Sequence, residues 1–356
     1  MPQDVVQRIP DLLPEWDDFV KSHPDGTIYH LNGWRRALAA SFPHISGHLL
    51  IIRDIHTGQI QAGLPICHVQ SLLLGNRWVS IPFAPFCDPL TTSDGDRDML
   101  IKAALEQHAL SRSNYLQLRF IKPGPADSQF GFSESRFYKY HRLSLDKDLQ
   151  TLRQNVHADA VRRMLNRAER KGVTISPASG MGDMSAFYSL FLQQRQQLGL
   201  PPIPRLFFES LWKAFSPADL VSFHLARVES RIVGASFGFR FNGLTMPEFL
   251  VVDHEYRSQG VTQSLYWYGI TEACQKHCRY YGFGRTAEKS GGLMRFKQRW
   301  NTEQLDILEC FYPAAKNAVL HEKEKSGAYR VISTMARVSP PLVRKLLGNF
   351  CYRHMG

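Results

Sequence analysis

The run from Tyr280 to Trp300 constrains the fold of this chain more than any other segment, because it joins an apolar strand to a short helix through a tight glycine turn. It reads YYGFGRTAEKSGGLMRFKQRW. A strand that ends near Arg285 would place this arginine at the crevice where α/β sheets bind ligands. Beyond the glycine pair, helical spacing leaves Lys297 able to project toward an anionic group. We therefore predict two cations that converge on one site, an arrangement suited to acyl transfer.

The same run, with GFGR, a glycine pair and RFKQRW, resembles the Fem family of aminoacyltransferases, which are relatives of the GNAT acyltransferases. The likeness extends from about Trp16 to the carboxyl end and includes Thr27–Trp34. It is greatest to the Fem-like proteins associated with bacterial exosortase and exopolysaccharide systems. It implies a mixed α/β (α+β) fold of two tandem GNAT-like acyltransferase domains with a C-terminal helical extension. Three positions depart from the family pattern and bear on the acceptor pocket: Gly282, Thr286 and Asn301.

The length of 356 residues is sufficient for two separate cores. Strand and helix patterns recur in a similar order in both halves, although the repeat is weak in sequence. We predict an N-terminal GNAT-like domain over residues 1–145 and a C-terminal one over 173–313. A basic helical segment, 146–172, is predicted to bridge them, and 314–356 is predicted to form the helical extension.

The net charge of +11 and the isoelectric point near 9.4 favour polyanionic partners. A tRNA, the phosphates of coenzyme A and an acidic inner leaflet all qualify, and a protein that is merely basic is the alternative. The sequence has no Walker loop, H-E-x-x-H or C-x-x-C pair, which disfavours NTPases and zinc enzymes.

Six cysteines without repeated spacing predict reduced thiols, and Cys274, His277 and Cys278 are too few for a structural zinc site. We therefore predict no metal. The first 14 residues lack the apolar core of a secretion signal, and no run reaches the about 18 apolar residues of a membrane span. These features predict a cytoplasmic location.

Acyl transfer to an amine needs donors for a tetrahedral oxyanion and a base for the amine proton. Lys297 is our candidate for the oxyanion, with an exposed surface lysine as the alternative. The resemblance supports it, because the family's Phe-Lys pair at this position is implicated in holding the donor or the developing charge. Glu248 and Tyr281 are the predicted catalytic partners near the crevice, and His224 and Asp253 are further candidates for the base.

Arg285 is predicted to bind a phosphate or carboxylate of the donor through its planar guanidinium, with an ion pair between domains as the alternative. Phe296 belongs to the Phe-Lys pair, so the resemblance places it at the donor as well. Both residues flank the predicted turn.

Two further regions are predicted to contact the donor. Arg257 and Gly260 precede a helix, where unpaired backbone N–H groups suit an anion. The segment resembles the pyrophosphate loop of acetyltransferases, and a simple helix-entry turn is the alternative. Arg163 and Arg167 lie on the basic helix, whose charges either contact phosphate or form a solvated face.

The tail from Leu342 to Met355 is short, basic and amphipathic. Leu342, Leu346, Leu347 and Phe350 can share one helix face, which is compatible with a membrane surface or with packing on the body of the protein. The pattern leaves both interpretations open.

Together these features predict a transferase that moves an acyl or aminoacyl group from an activated donor to an amine on a cell-envelope or exopolysaccharide precursor. Acyl-CoA is the preferred donor, and an aminoacyl-tRNA-dependent peptidoglycan-type aminoacyltransferase is the alternative. A non-catalytic basic protein associated with membrane or polysaccharide is the third interpretation. The predicted location is the cytoplasm, peripheral to the inner membrane through the C-terminal helix.

Overall fold

Two units make up the structure, and each draws on more than one stretch of the chain. The computed structural model describes residues 6–10, 12–122, 130–314 and 327–354. Unit 1 comprises Met1–Phe137, Asp306–Arg330 and Gly348–Gly356, and unit 2 comprises Tyr138–Leu305 and Val331–Leu347.

Each unit contains a mixed sheet with one parallel pair among antiparallel neighbours. In unit 1 the strands lie side by side in the order β1 (Gln7–Ile9), β2 (Ile45–Arg53), β3 (Ile60–Ser71), β4 (Gly75–Val79), β5 (Tyr115–Phe120) and β12 (Glu303–Tyr312). In unit 2 the order is β6 (Ser133–Ser144), β11 (Tyr280–Ala287), β10 (Leu244–Val252), β9 (Arg231–Phe241), β8 (Val221–Val228) and β7 (Val173–Pro177). The parallel pairs are β4 with β5 and β10 with β11. This shared arrangement confirms the predicted mixed α/β fold with a repeated domain.

The helices pack on these sheets. Unit 1 contains α1 (Trp16–Ser22), α2 (Asn32–Ser41) and α3 (Asp94–Leu110). Unit 2 contains α4 (Leu149–Asn155), α5 (Arg163–Arg170), α6 (Met181–Leu198), α7 (Arg205–Phe215), α8 (Val261–Gln275) and α9 (Gly291–Gln298). Near the carboxyl end lie α10 (Gly327–Val338) and α11 (Pro341–Tyr352).

Both faces of the unit 2 sheet are covered, which explains why its central strands are apolar on both sides. On one face, phenylalanines of α6 and α7 contact β9: the ring centroids of Phe187 and Phe208 lie 5.8 and 6.2 Å from that of Phe237. On the other face, Val261 and Leu265 of α8 pack in a buried cluster.

The predicted domain boundaries differ from the two units in two places. The segment 146–172, predicted as a bridge, belongs to unit 2, where α5 packs on the start of α8. The last strand of the predicted C-terminal domain, β12, pairs with β5 in unit 1, since Leu308–Tyr312 align with Leu116–Phe120. Part of the predicted extension, 315–326 and 355–356, lies outside the described residues.

The helices at the carboxyl end each bury one side and expose another. Ala336 of α10 is buried, whereas Val331, Met335 and Val338 are exposed. Among the described residues, no helix combines the length and the apolar character that crossing a membrane requires.

Candidate active site

The site begins where the parallel strands β10 and β11 part. Within these two strands, which the structure describes throughout, they pair only at Leu244 with Tyr280 and at Thr245 with Tyr281. Beyond those pairs each strand carries a bulge, one between Pro247 and Phe249 and the other between Gly282 and Gly284. A bulge redirects side chains and ends regular pairing. The parted strands therefore offer polar groups that the sheet itself does not use.

Lys297 lies on α9, the helix that follows β11, and binds backbone groups of the β11 bulge. Its Nζ donates to the carbonyl oxygens of Gly284 at 2.8 Å and of Arg285 at 3.0 Å. Gly284 has φ +69°, a left-handed conformation that glycine adopts without strain, and this turns its carbonyl group toward α9. Lys297 is 3% exposed, so the interpretation as a surface lysine is wrong.

Burial shifts the ionisation of Lys297 and Glu248 in opposite directions. Loss of water lowers the pKa of Lys297 to about 7, with Glu248 opposing the shift. Burial of the carboxyl group raises the pKa of Glu248 to about 8, and the charges of Arg285 and Lys297 oppose it. Although part of the Glu248 residue reaches the surface, its carboxyl group is enclosed by protein. Both groups therefore exchange protons near neutral pH.

Arg285 lies on the same bulge but points elsewhere. Its side chain is exposed, and the guanidinium carbon lies 4.8 Å from the centre of the Tyr138 ring. A cation over an aromatic face is attracted to the ring while it stays accessible to solvent. Lys297 binds the carbonyl oxygen of Arg285, and the charges of both residues act on the carboxyl group of Glu248, but only Lys297 is buried.

A third polar residue at this site, His141, was not among the predicted site residues. It is fully buried on β6, in register with Gly284. Its Nδ1 lies 3.4 Å from the hydroxyl of Thr302, which in turn donates to the carbonyl oxygen of Lys297 at 3.1 Å. Burial, together with the charge of Lys297, lowers the pKa of His141 to about 4. A neutral imidazole therefore supports the helix end that carries Lys297, and a histidine at an inward position of a strand was the available signal.

Tyr281 does not join this group. Its ring is 1% exposed and packs with Phe283 and Trp300, and a Cβ atom at Gly269 would lie 2.5 Å from its hydroxyl oxygen. Burial raises the pKa of this phenol well above its usual value. The predicted catalytic role of Tyr281 is corrected to core packing. Phe296 is half-buried beside the same cluster, 5.8 Å between its ring centroid and that of Tyr266.

The other candidate bases are held in separate interactions. His224 is buried, with Nε2 3.1 Å from the Glu272 carboxylate. Asp253 accepts a hydrogen bond from Arg231 at 2.7 Å and from the backbone N–H of Glu255. Glu248 is consequently the base best placed at the parted strands.

The start of α8 is covered by protein. Gly260 has φ +88°, and a Cβ atom there would overlap the carbonyl oxygen of Met164. Gln263 also donates to the carbonyl oxygen of Ala160 at 3.3 Å. The glycine thus permits close packing of the segment that leads into α5, and the predicted resemblance to an open pyrophosphate loop is not supported by its surroundings.

The three arginines predicted near this helix lie at the surface. Arg257 donates to the side chain of Gln197 at 2.9 Å. Arg163 forms an exposed ion pair with Asp159, 3.4 Å between nitrogen and oxygen, and Arg167 is exposed on the same helix. Exposed ion pairs add little to stability, so these cations remain available for a phosphate.

Two surface hollows lie apart from Lys297 and Glu248. The larger, of about 690 Å³, is lined by residues 144–149, 274–275 and 277–280. The smaller, of about 380 Å³, is lined by Asn155, His157, Arg295, Gln298, Arg299 and Asn301. Neither defines the site, which rests on side-chain geometry. Among the described residues, no group of three potential metal ligands occurs.

Comparison with known proteins gives a consistent result. Residues 156–298 match the family model of the acetyltransferase (GNAT) domain. No curated protein matches the chain significantly. The matched segment begins just before α5 and ends one residue after Lys297, so it encloses the whole site except β6 and Thr302.

Solved structures share the fold over nearly the whole chain. FemX matches with a TM-score of 0.67 and 14% identity, covering 90% of this chain and 100% of that chain. The C-terminal domain of a putative lysylphosphatidylglycerol synthetase from Agrobacterium fabrum matches with a TM-score of 0.52 and 12% identity, covering 83% and 91%. A tandem GNAT protein from the clavulanic acid biosynthesis pathway matches with a TM-score of 0.53 and 13% identity, covering 86% and 98%.

Proposed function

We propose that this protein, whose residues 156–298 match the acetyltransferase (GNAT) domain model and whose fold is similar to those of FemX and a tandem GNAT protein, transfers an acyl or aminoacyl group from an activated donor to an amine. The observation that carries this proposal is the electrostatic coupling between a buried lysine and a carboxyl group enclosed by protein, where β10 and β11 part. Their shifted pKa values suit proton transfer near neutral pH.

Lys297 would stabilise the oxyanion. An ammonium group has three N–H donors, and two of them bind the carbonyl oxygens of Gly284 and Arg285. The third remains for an oxygen that gains negative charge as the amine attacks the donor carbonyl. The neutral form of the side chain, by contrast, has only two N–H donors, so this role requires protonation.

Glu248 would accept the proton that the attacking amine releases, directly or through a water. A carboxylate with a pKa of about 8 is a stronger base than an exposed one. Attack of the amine forms the C–N bond and converts the carbonyl group to the tetrahedral oxyanion. Collapse of this intermediate re-forms the carbonyl group and breaks the bond to the leaving sulfur or oxygen, which takes up the proton that Glu248 accepted. Arg285, exposed beside the site, would contact a phosphate of the donor.

Acyl-CoA is the donor that we propose first, because the matched domain family is that of GNAT acetyltransferases. One observation favours aminoacyl-tRNA as the second candidate. The segment 158–168 covers the start of α8, where an open helix N-terminus would bind the pyrophosphate of coenzyme A. The acceptor that we propose is an amine of a cell-envelope or exopolysaccharide precursor on the cytoplasmic side of the inner membrane.

The test compares Lys297→Met and Glu248→Gln with Lys213→Met, a matched control at an exposed position of α7. We expect kcat to fall roughly 100-fold or more in the first two and to stay unchanged in the control. Free thiol released from acyl-CoA reports the first donor. With aminoacyl-tRNA, activity should fall steeply with salt, because many phosphates are engaged.

Two results would contradict the proposal. Unchanged kcat in both Lys297→Met and Glu248→Gln would remove this site from the chemistry. Absence of turnover with either donor class across a panel of amines would favour the non-catalytic interpretation, in which the basic surface only binds.

A further inference from the structure

A hairpin in unit 1 has three leucines at its tip. The turn between β3 and β4 is Leu72–Leu73–Leu74, where turns in water normally carry glycine, proline, asparagine, aspartate or serine. Leu72 is 101% exposed and Leu73 is 65% exposed, so neither side chain packs on the protein. Large apolar groups that protrude together are typical of a surface that contacts another phase or partner.

The end of α11 is tied to this tip. The Ser71 hydroxyl lies 2.9 Å from Nδ1 of His354, and Arg77 donates to the carbonyl oxygen of His354 at 2.9 Å. Tyr352 anchors the helix in the core, 5.8 Å between its ring centroid and that of Phe83. Phe350 is left exposed on the opposite side, one turn before the tie.

The apolar face of α11 continues away from that end. Leu342 and Leu346 precede Phe350 at intervals of four residues, and all three side chains are exposed. The amphipathic pattern of this helix therefore faces solvent, whereas its buried side is formed by residues such as Cys351 and Tyr352. Of the predicted apolar set, Leu347 alone is half-buried.

The Lys, Arg, Asp and Glu residues of the carboxyl-terminal segment are all basic. Between residues 327 and 354 the sequence has five lysines and arginines and no aspartate or glutamate. Lys345 is exposed on α11, and Arg353 is exposed directly after it. A second copy of the same surface would bring cation against cation, which disfavours self-association, whereas an anionic surface is complementary.

We propose that the Leu72–Leu74 tip and the exposed end of α11 at Phe350, both in unit 1, form a site that binds an anionic phospholipid bilayer. The leucines of the tip and Phe350 enter the boundary between headgroups and acyl chains, and Arg353 pairs with a lipid phosphate. The backbone N–H of Leu74 already donates to the Ser71 hydroxyl at 2.9 Å, so insertion does not leave this donor unpaired. This surface is independent of the transfer chemistry at Lys297.

The experiment is flotation of the full chain with large unilamellar vesicles of phosphatidylcholine alone or with about 30% phosphatidylglycerol. We expect binding only to the anionic vesicles and a decrease as salt rises through the range where charges are screened. The double variant Leu72→Ser/Leu73→Ser should bind at least tenfold more weakly, on the order of the loss of one or two leucine insertions. Because both side chains are exposed, the variant should keep the thermal stability of the wild type.

Ile55→Ser is the matched control. Ile55 is 52% exposed in the turn at the opposite end of β3, a strand of 12 residues that spans roughly 40 Å. This control and the catalytic variant Lys297→Met should bind vesicles as the wild type does. Equal binding to neutral and anionic vesicles, or unchanged binding of the double variant, would overturn the proposal. A dimer in solution that the double serine variant dissociates would instead identify the surface as a contact between copies.

Discussion

Replacing Lys297 with methionine should change how the stability of unit 2 depends on pH. In the unfolded chain the lysine has a pKa near 10.5, whereas burial lowers the pKa to about 7 in the folded protein. Between these values the unfolded chain binds a proton that the folded protein has released. The free energy of unfolding of the wild type therefore gains from this group as pH rises from about 7 to about 10.5, and below about pH 7 the folded state carries the full cost of a buried charge.

The magnitude follows from the linkage relation. Between about pH 6 and about pH 9, a pKa of about 7 in the folded state and 10.5 in the unfolded state gives a gain of about 2.7 kcal/mol for the wild type. Methionine has a similar length and no titrating group, so Lys297→Met lacks this gain. From about pH 6 to about pH 9, the unfolding free energy of the wild type should therefore rise by about 2.7 kcal/mol relative to that of Lys297→Met.

Glu248 contributes with the opposite sign. Its pKa is raised from 4.5 to about 8, so its stabilising contribution is lost as pH rises between these values. Both proteins carry this group, and a comparison in the Glu248→Gln background removes its coupling to Lys297. Urea denaturation at about pH 6, 7.5 and 9, followed by tryptophan fluorescence, measures the difference. A difference that stays constant to about 0.5 kcal/mol across this range would refute the reasoning, because Lys297 would then titrate as an exposed lysine.

Gly284→Ala should lower stability by about 1 kcal/mol, because the added Cβ meets open space but φ is +69°; thermal unfolding measures it, and no change would show that the bulge relaxes. Gly260→Ala should cost more than about 2 kcal/mol in the same assay, since its Cβ would also overlap the carbonyl oxygen of Met164. Arg285→Lys should raise KM for the donor about tenfold and leave kcat within about twofold, because lysine lacks the planar fork. An equal loss in kcat would instead place Arg285 in the transition state.

Local pattern was sufficient to predict the elements around the site. The strand observed as Tyr280–Ala287 and the helix observed as Gly291–Gln298 lie where they were predicted, because an apolar run, a glycine pair and helical spacing are encoded within 21 residues. The helix, however, begins at the glycine pair that was predicted as a turn. The pairing of β12 with β5 could not be read in this way. Its partner lies about 190 residues earlier in the chain, and strand propensity carries no information on which distant strand completes the ladder.

At the site, the sequence could not predict the orientation of individual side chains. Helical spacing correctly predicted that Lys297 lies on the helix after β11, but it could not predict that the side chain is buried. Its burial depends on the two carbonyl groups that the β11 bulge turns toward it. The same bulge changes which residues share a face, so Tyr281 packs in the core while Arg285 reaches solvent. His141 was missed because the alternating strand around it resembles many ordinary strands.

The pairing of β12 with β5 determines which fragments of this protein contain a complete unit 1 sheet. A fragment that ends at Phe137 contains five strands of the unit 1 sheet but lacks the one that aligns with Leu116–Phe120. In this fragment β5 would be an edge strand with unpaired backbone N–H and C=O groups, which can pair with other chains and cause aggregation. The segment up to Phe137 is therefore incomplete as a folding unit.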